Sequence, residues 1–298
     1  MNMLQLVQAA TGEMGLSVPG YVAGNTVQDV TQLFALINSC GSTLQREYDW
    51  QDLTTEYRFT TQYTSLIGTS TNGSAIITGL SSTSGLDTTY QVIGTGINQD
   101  TYILSVDSAT QVTLNQNATA TGSATFSFCQ TKYPFPSDYD RMIDRTEWDK
   151  SRRWEVLGPE TAQEWQWLKS AYIATGPRAR FRILGNQFQI WPPMANNEYL
   201  GWEYLSKNWA EDASGVRLPQ FSADTDTCIF NDRLMIDFLK FRYFEVKGFD
   251  TARFEAAFIR QLNISKASDK GSRTLSFAPR MASVLIQPEN IPDANFGS

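Results

Sequence analysis

The sequence predicts an α+β protein: a helical-bundle core with a small antiparallel β region, into which an all-β, sandwich-like module is inserted. Three observations lead there. Apolar residues recur at spacings of three and four near both ends of the chain. Residues 64–128 are dominated by Ser, Thr, Gly and Asn and hold no Lys or Arg. After Cys129 charge returns together with tryptophan, and seven of the eight tryptophans fall between residues 148 and 209.

Residues 3 to 11 form a short expected helix through Met3, Leu4, Leu6 and Val7, ended near Gly12 and Gly15. In the next, Val27, Val30, Phe34, Ile37, Gly41, Leu44 and Tyr48 make a helical stripe that Leu33, Leu36 and Cys40 widen, with Asn25 or Thr26 as its cap. The Thr- and aromatic-rich "LTTEYRFTTQY" of residues 53–63 reads as a strand. The runs "SAIITGL", "YQVIGTGI", "TYILSVD", "QVTLNQ" and "SATFSF" are β-branched stretches separated by turn residues, which gives four to six short strands in a small sandwich or barrel.

Beyond the module, Pro134 and Pro136 keep the chain extended, and Ser137 or Asp138 caps a helix expected over 137–150, docked through Tyr139 and Ile143. Another helix is expected at 160–174, a hairpin over 179–192 turning at Gly185-Asn186, and a strand at 198–205. The last third is a helical hairpin, Asp226 to Lys247 stopped by Gly248, then Asp250 to about Ala267. The domain reading is therefore 1–63 for the N-terminal part of the core, 64–128 for the inserted module, 129–270 for the rest of the core, and 271–298 for an extended arm with three prolines.

Composition narrows function. A net charge of −7, from 24 basic and 31 acidic residues, argues against the broad basic footprint of an independent nucleic-acid binder. There is no histidine, which removes the usual general base, the histidine-dependent triads and the commonest metal ligand. Cys40, Cys129 and Cys228 form no close pair and read as small buried hydrophobes of a reducing compartment. The N-terminus lacks the basic and apolar regions of a signal peptide, and no stretch approaches the roughly 18 apolar residues of a membrane span. No nucleotide-binding glycine motif is present, so neither a cofactor nor a metal is expected.

Two constellations carry potential chemistry. Asp138, Asp140, Asp144, Glu147 and Asp149 resemble a nuclease or hydrolase carboxylate cluster, but on the expected helix Arg141, Arg145 and Lys150 lie within ion-pairing reach, so a structural role is preferred. The stretches "WDKSRRWEV" and "GPRARFRIL" mix arginine with aromatics, a composition common at interface hot spots. In the second, Arg178, Arg180 and Arg182 line one face of a strand, facing a neighbouring subunit in preference to DNA. A carbohydrate-binding module at 64–128 is a further alternative, weakened because its aromatics are chiefly Tyr90 and Tyr102.

The helix-and-strand segment "VQDVTQLFALINSCGSTLQREYDWQDLTTEYRFTT", the corner formed by Tyr133, Phe135, Pro136, Asp138, Tyr139 and Arg141, the pair "FRILGNQFQIWPPM" and the C-terminal hairpin follow one another in an order that resembles head-to-tail adaptor (connector) proteins of short-tailed bacteriophages, of the tail tubular protein A type. The similarity covers about residues 20–60 and 130–270, and the family joins the strand to the corner by a short loop where this chain carries the β module. The resemblance implies a non-enzymatic virion protein at the head–tail junction, forming a ring of about twelve subunits. Its implied partners are further copies of itself, the portal, the tail nozzle or tube, and a tail fibre or other tail component through the inserted module. Double-stranded DNA would pass through during ejection without specific binding, and no membrane is involved. Candidate subunit or portal contacts are Arg141, Arg145, Arg152, Arg153, Trp154, Trp165, Trp167, Arg178, Arg180, Arg182, Phe277 and Arg280.

Overall fold

The computed structural model describes residues 1–170 and 179–269. In chain order these form α1 (Met3–Met14), α2 (Gln28–Glu47), β1 (Thr54–Thr60), β2 (Tyr63–Ser70), β3 (Ile76–Thr78), β4 (Tyr90–Gly94), β5 (Ile103–Ser108), β6 (Gln111–Leu114), β7 (Gly122–Gln130), β8 (Lys132–Pro134), β9 (Tyr139–Met142), β10 (Trp148–Asp149) and β11 (Trp154–Glu155). There follow α3 (Ala162–Ser170), β12 (Arg180–Leu184), β13 (Gln187–Trp191), β14 (Tyr199–Ser206), β15 (Ala210–Glu211), β16 (Arg217–Leu218), β17 (Thr227–Cys228), α4 (Asp232–Lys247) and α5 (Ala252–Asp269). They fall into two compact units, each assembled from separated stretches: the first from residues 1–55, 138–142 and 204 onward, the second from 56–137 and 143–203.

In the first unit α4 packs against α1, α2 and α5. A capping box between Asn2 and Gln5 starts α1. The stripe of α2 buries Val30, Leu33, Leu36, Ile37, Cys40, Gly41 and Leu44, while Val27 sits exposed at the N-cap, its N–H bonded to Asn25 Oδ1. Asn231 caps α4 by accepting from the N–H groups of Arg233 and Leu234, and Gly248 ends it in the left-handed region at φ 75°. The helix expected from Asp226 starts six residues later because Asp226 is a loop clamp, accepting from the N–H groups of Ser222 and Ala223.

In the second unit β2 and β7 pair along their whole length, from Tyr63↔Cys129 to Ser70↔Gly122. The strand order is β4-β7-β2-β3-β6-β5. The two outer strands also meet, through a Gln91↔Tyr102 bridge and a 2.8 Å bond from Val92 N–H to Thr101 O, so the sheet closes on itself. Its interior holds Ile77, Leu80, Val92, Ile103, Val112, Leu114, Phe126 and Phe128. A second apolar centre of the same unit is aromatic: Phe59 lies 4.4 Å from Tyr133, Phe181 stacks on Phe188 at 4.7 Å, and Trp202 contacts Phe135 and Phe188. The hairpin β12-β13 turns at Gly185 and Asn186, both left-handed at φ 61° and 58°.

Three expectations are corrected. The helices do not form a core bundle: the described residues are about 30% helical and 31% strand with several antiparallel sheets, a mixed fold of roughly α+β class. The inserted module is one six-stranded sheet with joined edges, not a sandwich of two. No helix spans 137–150. There β9 pairs with residues 204–206 of β14, Arg145 turns the chain at φ 67°, and β10 pairs with residues 200–201. Helix α3 ends at Ser170, and residues 171–174 of the expected helix lie outside the described residues, as do Arg178 and the expected arm at 271–298. Among the described residues no helix is long and apolar enough to cross a membrane.

Candidate interaction surface

The acids of the corner are used one at a time. In the first unit Asp138 accepts hydrogen bonds from Tyr204 Oη (2.9 Å) and Ser206 Oγ (2.7 Å), which fastens the start of β9 to β14. Asp140 faces Arg46 at 3.5 Å, and Arg141 pairs with Asp49. In the second unit Asp149 accepts from the N–H groups of Ser151 and Arg152 at 3.0 Å each, a side-chain turn that shapes the link to β11. Asp144 is exposed. Among the described residues no group of three or more acids or cysteines is placed to hold a metal ion.

Glu147 is the exception to this pairing. It is 2% exposed, its Oε1 has no hydrogen-bond partner, and burial, followed by the nearby charges of Asp144 and Glu155, pushes its pKa up to about 7. A raised carboxyl favours the folded state only while protonated, so stability is full below about pH 4.5 and falls as pH rises through 7. Glu147→Gln is therefore expected to flatten the pH dependence between 5 and 7.5 and to raise stability at pH 7.5 by up to roughly 3 kcal/mol, measured by urea denaturation across pH. A variant as pH-dependent as the wild type would contradict this.

Beside Glu147, residues Glu56, Arg145, Trp148, Lys150, Arg153 and Glu203 line an open groove of about 470 Å³ with Trp202 beneath. Two of its arginines, Arg145 and Arg153, hold left-handed backbone conformations at φ 67° and 58°. Each costs about 1 kcal/mol relative to a right-handed residue, and glycine or asparagine would take the same turn more cheaply. Lys150 crosses Gly201, where a Cβ would come within 2.8 Å of the lysine Cε, and pairs with Glu56. Hydrogen bonds from Arg58 and then Lys150 hold the Glu56 carboxyl down at about 2, so it stays ionised. Trp148 presents 41% of its surface at the rim. The result is a surface that mixes cationic side chains with an exposed tryptophan and the ionised Glu56, which suits a partner carrying carboxylates and apolar side chains.

The other expected contact residues are dispersed. Arg152 is held by Glu198 at 2.6 Å, and Arg180 by Glu160 at 2.9 Å. Trp154 is half-buried in β11, and Arg182 is partly exposed in β12 opposite the buried face of Phe181. On α3, Trp165 is buried at 1% while Trp167 is 65% exposed, so only the second is available at the surface. Arg178, Phe277 and Arg280 lie outside the described residues. The stretch "WDKSRRWEV" did contain Trp148 and Lys150; Glu56 and Glu203 come from distant strands and carry no local signal.

Tyr90 and Tyr102, the aromatics of the module, are both engaged. Tyr90 belongs to the barrel interior. Tyr102 is gripped by two lysines, with Lys132 4.0 Å over its ring and Lys169 donating to its hydroxyl at 2.9 Å, and Lys169 also pairs with Asp100 at 3.0 Å. No protein-family model matches the sequence, and no curated protein matches it.

Proposed function

We propose that the chain is a structural virion protein, a subunit of a ring adaptor between the portal and the tail of a short-tailed bacteriophage, and a conduit for DNA during ejection. The reading rests on the order of sequence motifs, and the observation that carries it is the groove of Arg145, Lys150, Arg153 and Trp148, two of whose arginines are held in costly backbone geometry. A surface of this composition closes a ring by receiving the acidic and apolar face of the next subunit. The engagement of Asp138, Asp140 and Asp149 in strand and turn contacts supports a structural use of the acidic segment. A net charge of −7 suits a channel that transmits a polyanion without retaining it.

The double variant Arg145→Glu/Arg153→Glu tests the groove. Mixed with portal protein, the wild type is expected to assemble into particles of one mass by mass photometry. The variant, with an unchanged circular dichroism spectrum, is expected to assemble at least tenfold more weakly. Equal assembly of the two would contradict the assignment of the ring contact.

A further inference from the structure

Residues 143–149 of the second unit supply Arg145, Thr146 and Trp148 to the groove, and the segment is fastened at both ends. The Ile143 N–H donates to Glu203 O at 3.0 Å, while Trp148 and Asp149 pair with Gly201 and Leu200 of β14 and with Glu155 and Trp154 of β11. Between these ends Arg145 turns the chain at φ 67°. Thr146 Oγ1 donates to Ile143 O at 2.7 Å and accepts from the Glu203 N–H at 2.9 Å, and the Val156 N–H donates to Glu147 O at 3.0 Å. The buried Glu147 carboxyl is folded back onto this turn, accepting from the N–H groups of Glu147 and Arg145, with Oε1 left without a partner. Two acids act on its charge, Asp144 on the turn and Glu155 on β11; a third, Glu203, reaches the same turn from β14 through its N–H. The cations of the groove, Arg145, Lys150 and Arg153, lie on the turn and on the link between β10 and β11.

We infer that residues 144–147 form a pH-sensitive hinge in the groove wall: the turn stays closed while Glu147 is protonated and swings out to hydrate the carboxylate when Glu147 ionises, taking Arg145 and Thr146 out of the wall. A neutral carboxyl tolerates a dry site, whereas an ionised one loses its hydration there and meets the charges of Asp144 and Glu155. Burial first, then those two charges, holds the pKa at about 7 against an ordinary 4.5. The closed turn is therefore fully stabilised below about pH 4.5 and loses that stabilisation as pH rises through 7. Opening is local. It breaks the Thr146 and Val156 hydrogen bonds and releases the left-handed backbone of Arg145, while Ile143 and the β10 ladder stay paired. The groove wall is then complete in mild acid and incomplete above neutrality. The hinge does not rest on the ring reading, because it acts on the wall whatever partner the groove takes.

Hydrogen–deuterium exchange of the full chain at pH 5.5 and 7.5, with intrinsic exchange rates divided out, tests the hinge without any partner. Peptides covering 144–147 and Val156 are expected to open roughly twentyfold more often at the higher pH, the change that linkage gives for a carboxyl moving between these two pKa values. Peptides of the β12–β13 hairpin are expected to keep their protection, which separates a local hinge from general unfolding. Glu147→Gln, with an unchanged circular dichroism spectrum, is expected to abolish the increase and keep the turn protected at pH 7.5. Glu155→Gln leaves the Glu147 carboxyl in place and is expected to shrink the increase without removing it, since burial is the larger cause. The inference is overturned if the turn shows no increase, if Glu147→Gln shows the same increase, or if the hairpin opens by the same factor.

Discussion

Gly41→Ala is expected to destabilise the first unit by about 3 kcal/mol or more, although in an ordinary helix the same change gains up to about 1 kcal/mol. The reason is Trp209. A Cβ at Gly41 would stand 2.2 Å from the indole Cη2 and Cζ2 atoms, well inside contact distance. Trp209 is 1% exposed, meets Phe221 edge-on at 4.9 Å and lies beside Phe230 at 6.0 Å, so its ring cannot swing away without displacing both. Helix propensity and packing thus oppose each other, and packing wins. Thermal melting settles the sign: a melting temperature equal to or above the wild type would show that the indole moves freely.

Lys240→Met is expected to cost about 2–4 kcal/mol by chemical denaturation. Lys240 and Asp237 are 8% and 5% exposed, and the ammonium lies 3.0 Å from Asp237 and 2.6 Å from Glu13. Removing it leaves Asp237 with Arg233 alone, at 2.8 Å, in a site from which water is largely excluded. The loss should stay below the upper limit for an orphaned buried charge because that arginine remains. The double variant Asp237→Leu/Lys240→Met is expected to recover most of the loss, since the charge that needed a partner is then gone. Additive losses in the double variant would contradict the pairing.

Where structure is set by neighbours in sequence, it was legible. The Gly185-Asn186 turn, the Gly248 stop and the apolar stripe of α2 are local devices, and each appears where the residues place it. The five β runs of the module also fall on β3 to β7, because alternation and turn residues define short strands on their own. The choice between a sandwich and a closed sheet was not legible. It depends on Gln91 meeting Tyr102 across the two ends of the strand order, a pairing that no local pattern encodes.

The corner at 137–150 misled for a physical reason. Acids and bases spaced three and four apart suit a helix, yet their partners are remote: Asp138 binds Tyr204 and Ser206, Arg141 binds Asp49, and Asp140 faces Arg46. The candidate surface was half legible for the same reason. "WDKSRRW" placed Trp148, Lys150 and Arg153 on the page, but the acids that line the groove, Glu56 and Glu203, arrive from β1 and β14.

The central claim is assembly into a ring on a portal, and electron microscopy of the purified protein mixed with its portal tests it most directly. Class averages should show closed rings of this chain stacked on the portal and coaxial with it, with an open channel. A protein that remains monomeric, or binds the portal without forming a closed ring, would contradict the account.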